Sequence, residues 1–261
     1  MPSIAFKNGK ISYSDAGNGI AVIFLHGFLG NKNLWNKQVY ALKTQFRTIC
    51  IDLPGHGKSD DFGYTHSMEL MAEAVKAVLR KLRLRKVILI GHSLGGYVAL
   101  AFAEKYPDML KGLIMVNSSA KGDTPSKTKS RNQLLKLIKK DKAKALNLLV
   151  PGFFSLAAKN RNTKIKNYLK SAQKCSAKGI AACIEGMKIR REREIILRFA
   201  PFPFCYFIGK YDQKISPKDQ IDETKLNKKG SYIQFEHSSH MIFMEEAEKC
   251  TQNIRIWIKK L

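Results

Sequence analysis

Short runs of apolar, mostly β-branched residues recur along this chain. The stretches between them repeat apolar positions every three or four residues. Ala21 to Leu25, Thr48 to Ile51, Val87 to Ile90, Leu113 to Val116 and Phe204 to Ile208 carry almost no polar side chains, as strands buried on both faces of a parallel sheet do. Ser231 to Phe235 reads as the last strand. Ile4 to Phe6 and Ile11 to Tyr13 flank Asn8-Gly9, a hairpin signal. Helical spacing predicts a core-facing stripe at Leu34, Trp35, Val39 and Leu42, and an amphipathic helix from Ser67, its N-cap, to Leu82. Further helices are expected over Gly96 to Lys105, stopped by Tyr106-Pro107, and over Glu245 to Lys260. Strand and helix alternate, so the expected class is α/β.

The alternation breaks between residues 121 and 200. Asn132 to Val150, Asn162 to Lys174 and Lys178 to Arg190 look helical, with Pro151-Gly152 as a breaker before Phe153-Phe154. Residues 121–200 are therefore expected to be a helical cap inserted into a core of residues 1–120 and 201–261. The same segment concentrates charge. It holds 21 lysines and arginines against 5 acids, and contributes +16 of the formal net charge of +25. A lysine bias in the source's codon usage accounts for such a surplus without any function. The functional alternative is an acidic partner at the basic cap, such as an acyl carrier protein, an anionic lipid or an anionic substrate. No nucleic-acid-binding module is present, so nucleic acid is not an expected partner.

No apolar run reaches the ~20 residues needed to span a bilayer, and residues 1–10 lack a signal-peptide core. The 5 cysteines are scattered without a metal-type spacing, as suits reduced thiols in a cytoplasmic protein. No metal site and no cofactor are expected.

The chemistry gathers where strands end. Val87 to Ile90 runs directly into Gly91-His92-Ser93-Leu94-Gly95 and then into a helix. A serine between two glycines at a sharp strand-to-helix turn stands exposed above the sheet edge. The helix N-terminus beside it offers free N–H groups to a developing oxyanion. Ala21 to Leu25 ends in His26-Gly27-Phe28-Leu29-Gly30, a loop suited to a second backbone donor. Asp52 to Asp60 is a compact polar loop bent by Pro54, Gly55 and Gly57, and His56 within it reads as a packing residue. A serine nucleophile needs a base, and the base needs a carboxylate to fix its tautomer. Asp212 follows one late strand and His240 the next.

With these landmarks in this order, the chain resembles the α/β-hydrolase superfamily over nearly its whole length, and within it the small capped esterases. The resemblance implies the α/β-hydrolase fold: a mostly parallel, doubly wound sheet with an inserted helical cap. It implies Ser93 as nucleophile, His240 as general base and then acid, and Asp212 as its orienter. The oxyanion hole falls to the backbone N–H groups of Phe28 and Leu94. His237 competes with His240, and Asp219 with Asp212. The segment from Met241 to Glu246 is similar to the family's stretch after its catalytic histidine, and Asp219 lies farther from its strand, in a helix start. Some relatives carry the acid after the strand ending near residue 117, where this chain has Asn117. Phe28, Leu29, Phe153, Phe154 and Met241 are the expected substrate-lining residues.

The implied activity is a serine hydrolase cleaving a small-molecule carboxylic ester or thioester. Alternatives on the same fold are the menaquinone-pathway lyase, a perhydrolase or a non-hydrolytic small-molecule receptor. The lyases carry an arginine directly after the elbow glycines, where this chain has Tyr97.

Overall fold

The computed structural model describes residues 2–261. The Asn8-Gly9 turn joins β1 (Ser3–Phe6) to its antiparallel partner β2 (Gly9–Ala16), with Phe6 opposite Gly9. Strand and helix then alternate through β3 (Ala21–Leu25), α1 (Asn36–Leu42), β4 (Arg47–Ile51), α2 (Met68–Lys81), β5 (Val87–His92), α3 (Leu94–Lys105) and β6 (Leu110–Val116). The next segment is helical: α4 (Pro125–Lys140), α5 (Lys142–Leu149), α6 (Arg161–Ala172), α7 (Ala177–Lys188) and α8 (Glu194–Arg198). Alternation resumes with β7 (Phe204–Gly209), α9 (Pro217–Thr224), β8 (Gly230–Phe235), α10 (Ile242–Glu245) and α11 (Ala247–Ile258).

The strands form one 8-stranded sheet in the order β1-β2-β4-β3-β5-β6-β7-β8, parallel from β4 to β8. Every residue of β3, β5 and β7 is buried, because helices cover both faces of a parallel sheet. α2 buries one face, through Met68, Met71, Val75, Val78 and Leu79, and Ser67 Oγ caps it by accepting the Leu70 amide at 3.2 Å. α3 is apolar on all sides and buried from Leu94 to Ala103.

Helix boundaries differ from expectation in ways that caps explain. The helix expected over 132–150 starts seven residues earlier, at Pro125, where Thr124 Oγ1 accepts the Lys127 amide. It breaks at Asp141, whose carboxylate accepts the Lys144 amide and starts α5. The stripe at 34–42 is split between a 3₁₀ turn, Lys32–Trp35, and α1.

The helical segment is tied to the sheet and its flanking helices by part-buried polar contacts. The Arg193 side chain, 3% exposed, bonds Glu69 and Glu104, and its amide donates to Ala120 O at 2.7 Å. On the other side, the His66 amide donates to Ala182 O. At the carboxyl edge, Lys32 Nζ and Asp52 form an ion pair at 2.5 Å with side chains 2% and 1% exposed. Asp52 also accepts the Lys32 and Lys58 amides, so one carboxylate ties the turn after β3 to the loop after β4. Asp52→Ala leaves the Lys32 ammonium buried and unpaired. It should lower unfolding free energy by about 3–5 kcal/mol in urea titration. A loss under about 1 kcal/mol, the range of exposed pairs, would contradict this role.

Candidate active site

β5 ends in a turn that holds Ser93 at φ 49° and ψ −112°, outside the region that side chains normally occupy. Two glycines make the turn possible by allowing close backbone approach. A Cβ at Gly91 would lie 2.4 Å from Gly95 O, and one at Gly95 would lie 2.4 Å from Leu25 O. The Ser93 amide donates to Val116 O at 3.0 Å, and its carbonyl accepts from Ser118 Oγ at 2.8 Å. The Leu94 amide opens α3, and Phe28 sits in the loop after β3. Among the described residues neither amide has a hydrogen-bond acceptor.

The Phe28–Leu29 peptide is oriented from both sides. Tyr168 Oη of α6 donates to Phe28 O at 2.7 Å, and the Leu29 amide donates to His56 Nε2 at 3.3 Å. His56 donates in turn from Nδ1 to Pro54 O, so it packs the loop as expected. His26 works likewise, accepting the Leu53 amide at Nε2 and donating from Nδ1 to Gly27 O.

Asp212 and His240 come together from the loops after β7 and β8. His240 Nδ1 lies 2.9 Å from Asp212 Oδ2, and both side chains are buried. Asp212 Oδ1 accepts the Lys214 and Ile215 amides. Asp219 is instead paired with Lys121 Nζ at 2.8 Å, and His237 is exposed. Asn117, at φ 43° after β6, joins the two loops: its Oδ1 accepts the Gly209 amide and its Nδ2 donates to Ser239 O, each at 2.8 Å. His92 Nε2 donates to His240 O at 2.8 Å, while the His240 amide donates to Phe153 O. Glu245 accepts the Ser239 and Met241 amides on either side of His240, and the Ser155 amide from the helical segment. Burial pushes the Glu245 carboxyl pKa up, and the three amide donors oppose that shift.

Ser93, His240, Phe28 and Phe153 line one cavity of about 380 Å³ between the sheet edge and the helical segment. Leu134, Leu149, Tyr168, Met187 and Ile215 supply most of its remaining apolar wall, and Lys127, Arg131 and Lys214 its cations. Phe154 lines a neighbouring cavity with His237 and Tyr211. Leu29 and Met241 do not line the Ser93 cavity. Both are fully buried, Leu29 at φ 64° and Met241 directly after His240. Sequence reading missed Tyr97, Lys127, Arg131, Tyr168 and Lys214 as lining residues. A usable signal existed on α4, where Lys127, Arg131 and Leu134 recur at helical spacing and place two cations beside an apolar position.

A family model described as alpha/beta hydrolase fold matches residues 20–247. A pimeloyl-[acyl-carrier protein] methyl ester esterase of Wigglesworthia glossinidia brevipalpis is 28% identical, with 92% of this chain and 94% of that protein covered. A putative 2-succinyl-6-hydroxy-2,4-cyclohexadiene-1-carboxylate synthase of Haemophilus influenzae is also 28% identical, over 90% of this chain and 98% of that one. Uncharacterized mycobacterial proteins are 37% identical over 120 residues, and the matched stretch spans 35% of their length. Among solved structures, a thermophilic esterase of Thermogutta terrifontis, malate bound, superposes with a TM-score of 0.91 at 28% identity, covering 97% of this chain and 94% of that one.

Four buried histidines, His26, His56, His66 and His92, are held neutral. Burial, with His56 next, pushes the His26 pKa down to about 3, and burial pushes His66 down to about 4. His56 and His92 are lowered as well, mainly by burial. In the unfolded chain each takes a proton below about 6.5. The unfolded state therefore binds more protons between that value and the folded one. Stability should be full above about pH 6.5 and fall as pH drops towards 4, by up to about 1.4 kcal/mol per pH unit per histidine. Urea midpoints at pH 7 and pH 5 measure this. His66→Gln should flatten the fall, and parallel curves for the two proteins would remove His66 from it.

Proposed function

The chain belongs to the alpha/beta-hydrolase family, and from that premise we propose that it is a serine hydrolase cleaving a small-molecule carboxylic ester or thioester through an acyl-enzyme. The observation that carries this reading is that the strained Ser93, Phe28 and His240, which pairs with Asp212 at 2.9 Å, line one cavity, and that the amides of Phe28 and of Leu94, next to Ser93, have no acceptor among the described residues.

In this mechanism Ser93 Oγ attacks the substrate carbonyl carbon as its proton passes to His240 Nε2. Nδ1–H of His240 donates to Asp212, which keeps Nε2 free as the acceptor and stabilises the imidazolium that forms. The carbonyl oxygen takes the negative charge and binds the Leu94 and Phe28 N–H groups, which need no reorganisation because their peptides are already fixed. Collapse breaks the bond to the alkoxide or thiolate, which leaves with the proton held on His240. Water then attacks the acyl carbon, gives its proton to His240, and releases the acid and Ser93. No cofactor enters the cycle. The esterases of Wigglesworthia and Thermogutta support the reaction class. Buried, unpaired cysteines support a cytoplasmic setting.

Ser93→Ala should lower turnover of a short p-nitrophenyl ester by about 10⁴-fold or more, and Asp212→Asn by about 10⁴-fold. His240→Gln should be inactive, whereas His237→Gln and Asp219→Asn should stay close to the parent. Near-parental turnover of Ser93→Ala, or a dead Asp219 variant beside a live Asp212 variant, would overturn these roles.

The basic segment supports an acidic carrier protein as a docking partner, since Lys136, Lys139 and Lys140 are all exposed on α4. Raising salt to about 0.5 M shortens the Debye length to a few Å and removes long-range steering. kcat/KM on a carrier-linked ester should then fall about tenfold or more, while a small neutral ester barely responds. Equal salt responses would dismiss the carrier.

A further inference from the structure

The cavity above Ser93 has an unbalanced charge. Lys127, Arg131 and Lys214 line it, and no aspartate or glutamate does. The nearby acids are engaged elsewhere. The buried Asp123 carboxylate is shared between the guanidinium groups of Arg131 and Arg190, and Asp219 is paired with Lys121. Arg190 lies 4.1 Å from the ring centre of Tyr97, another lining residue, so a fourth cation stands behind the wall.

Lys127 and Lys214 differ from the other cations near the sheet edge. Arg193 has Glu69 and Glu104, and Lys32 has Asp52. Among the described residues neither Lys127 nor Lys214 has a carboxylate partner. The Lys214 ammonium lies 5.8 Å over the Phe153 ring, against the backbone of Gly152. Lys127 is half-buried on the face of α4 that also carries Arg131 and Leu134 to the cavity. Burial and the neighbouring Arg190 lower its pKa, and the more weakly acting Asp123 and Asp219 do not offset them.

We propose that Lys127, Arg131 and Lys214 form a subsite for a carboxylate carried on the non-reacting end of a small ester substrate. The preferred substrates are hemiesters of short dicarboxylic acids or acyl esters of hydroxy acids. A carboxylate entering here meets two unpaired ammonium groups and an arginine with donors to spare, and charge-assisted bonds offset its desolvation. Phe28, Leu134, Leu149 and Met187 give the rest of the wall an apolar surface for the methylenes that separate carboxylate from ester. A cavity of about 380 Å³ suits a substrate of that size. The inference deepens the esterase reading and rests on it for the chemistry, but not for the binding.

Two measurements separate them. The first compares kcat/KM for monomethyl glutarate with methyl pentanoate, and for O-acetyl-glycolate with O-acetyl-glycolamide. At least one charged ester should be preferred by about tenfold or more. That ratio should collapse in the Lys127→Met, Lys214→Met double variant and return with Lys127→Arg, Lys214→Arg. Lys129→Met, which removes one positive charge from the exposed face of the same helix, should leave the ratio in place. The second titrates glutarate calorimetrically into Ser93→Ala protein. Saturable binding should weaken by about tenfold or more in the lysine double variant. Lysine-dependent glutarate binding in a protein that hydrolyses no ester would keep the subsite and remove the esterase reading. Equal rates on charged and neutral esters in both series would overturn the subsite. So would an effect of Lys129→Met equal to that of the double variant, or no glutarate binding.

Discussion

The turn at Ser93 is the constraint on which the carboxyl edge of this sheet depends. A serine at φ 49° costs on the order of 1–3 kcal/mol of backbone strain, and it persists only because its surroundings over-determine it. β6 accepts its amide through Val116 O, the first turn of α3 and Ser118 bind its carbonyl, and Gly91 and Gly95 let backbone come within Cβ distance. The requirement that β3, β5 and β6 meet here therefore fixes which loops face each other across the cavity.

Around that turn the loops are joined by neutral polar side chains rather than by apolar packing. His26 and His56 hold the loop after β3 against the loop after β4, and Asn117 and His92 hold the loops after β7 and β8. A neutral imidazole in a buried site offers one donor and one acceptor at fixed positions, with no charge to desolvate. Ion pairs occur where the helical segment and the sheet domain lock together, at Arg193, and where two loops need a tether, at Lys32 with Asp52. Glu245 serves both ends. Its carboxylate ties the His240 loop to Ser155 of the helical segment, so the position of His240 and the shape of the cavity are mechanically linked.

The strands, their order along the chain and the Ser93 turn were legible in the sequence because each is a local signal: an apolar run, a glycine spacing, a cap. The helix start at Thr124-Pro125 was equally local, but a lysine-rich first turn masked it, and Asp141 hid a break inside a continuous apolar stripe. The positioning residues were not legible. Tyr168 meets Phe28 across 140 residues, and Asn117 meets Ser239 across 122, and nothing in the local composition marks either. Neighbours of a motif are also poor guides to a cavity wall. Leu29 and Met241 flank functional positions in sequence but turn into the core, while Lys127 and Arg131 reach the cavity from a helix that reads as solvated surface.

The proposed mechanism makes one device of these contacts: the strained Ser93 turn, two backbone amides without acceptors, and a histidine held by Asp212. On the serine-hydrolase reading proposed above, the reaction passes through an acyl group bound to Ser93, and that intermediate is directly observable. Rapid-quench mass spectrometry during p-nitrophenyl acetate turnover should find acetyl on the peptide containing Ser93. A p-nitrophenolate burst of about one equivalent per chain should accompany it, the pattern of acyl-enzyme accumulation. A burst-free reaction with no acetyl on Ser93, or acetyl carried by another residue at the rate of turnover, would contradict it.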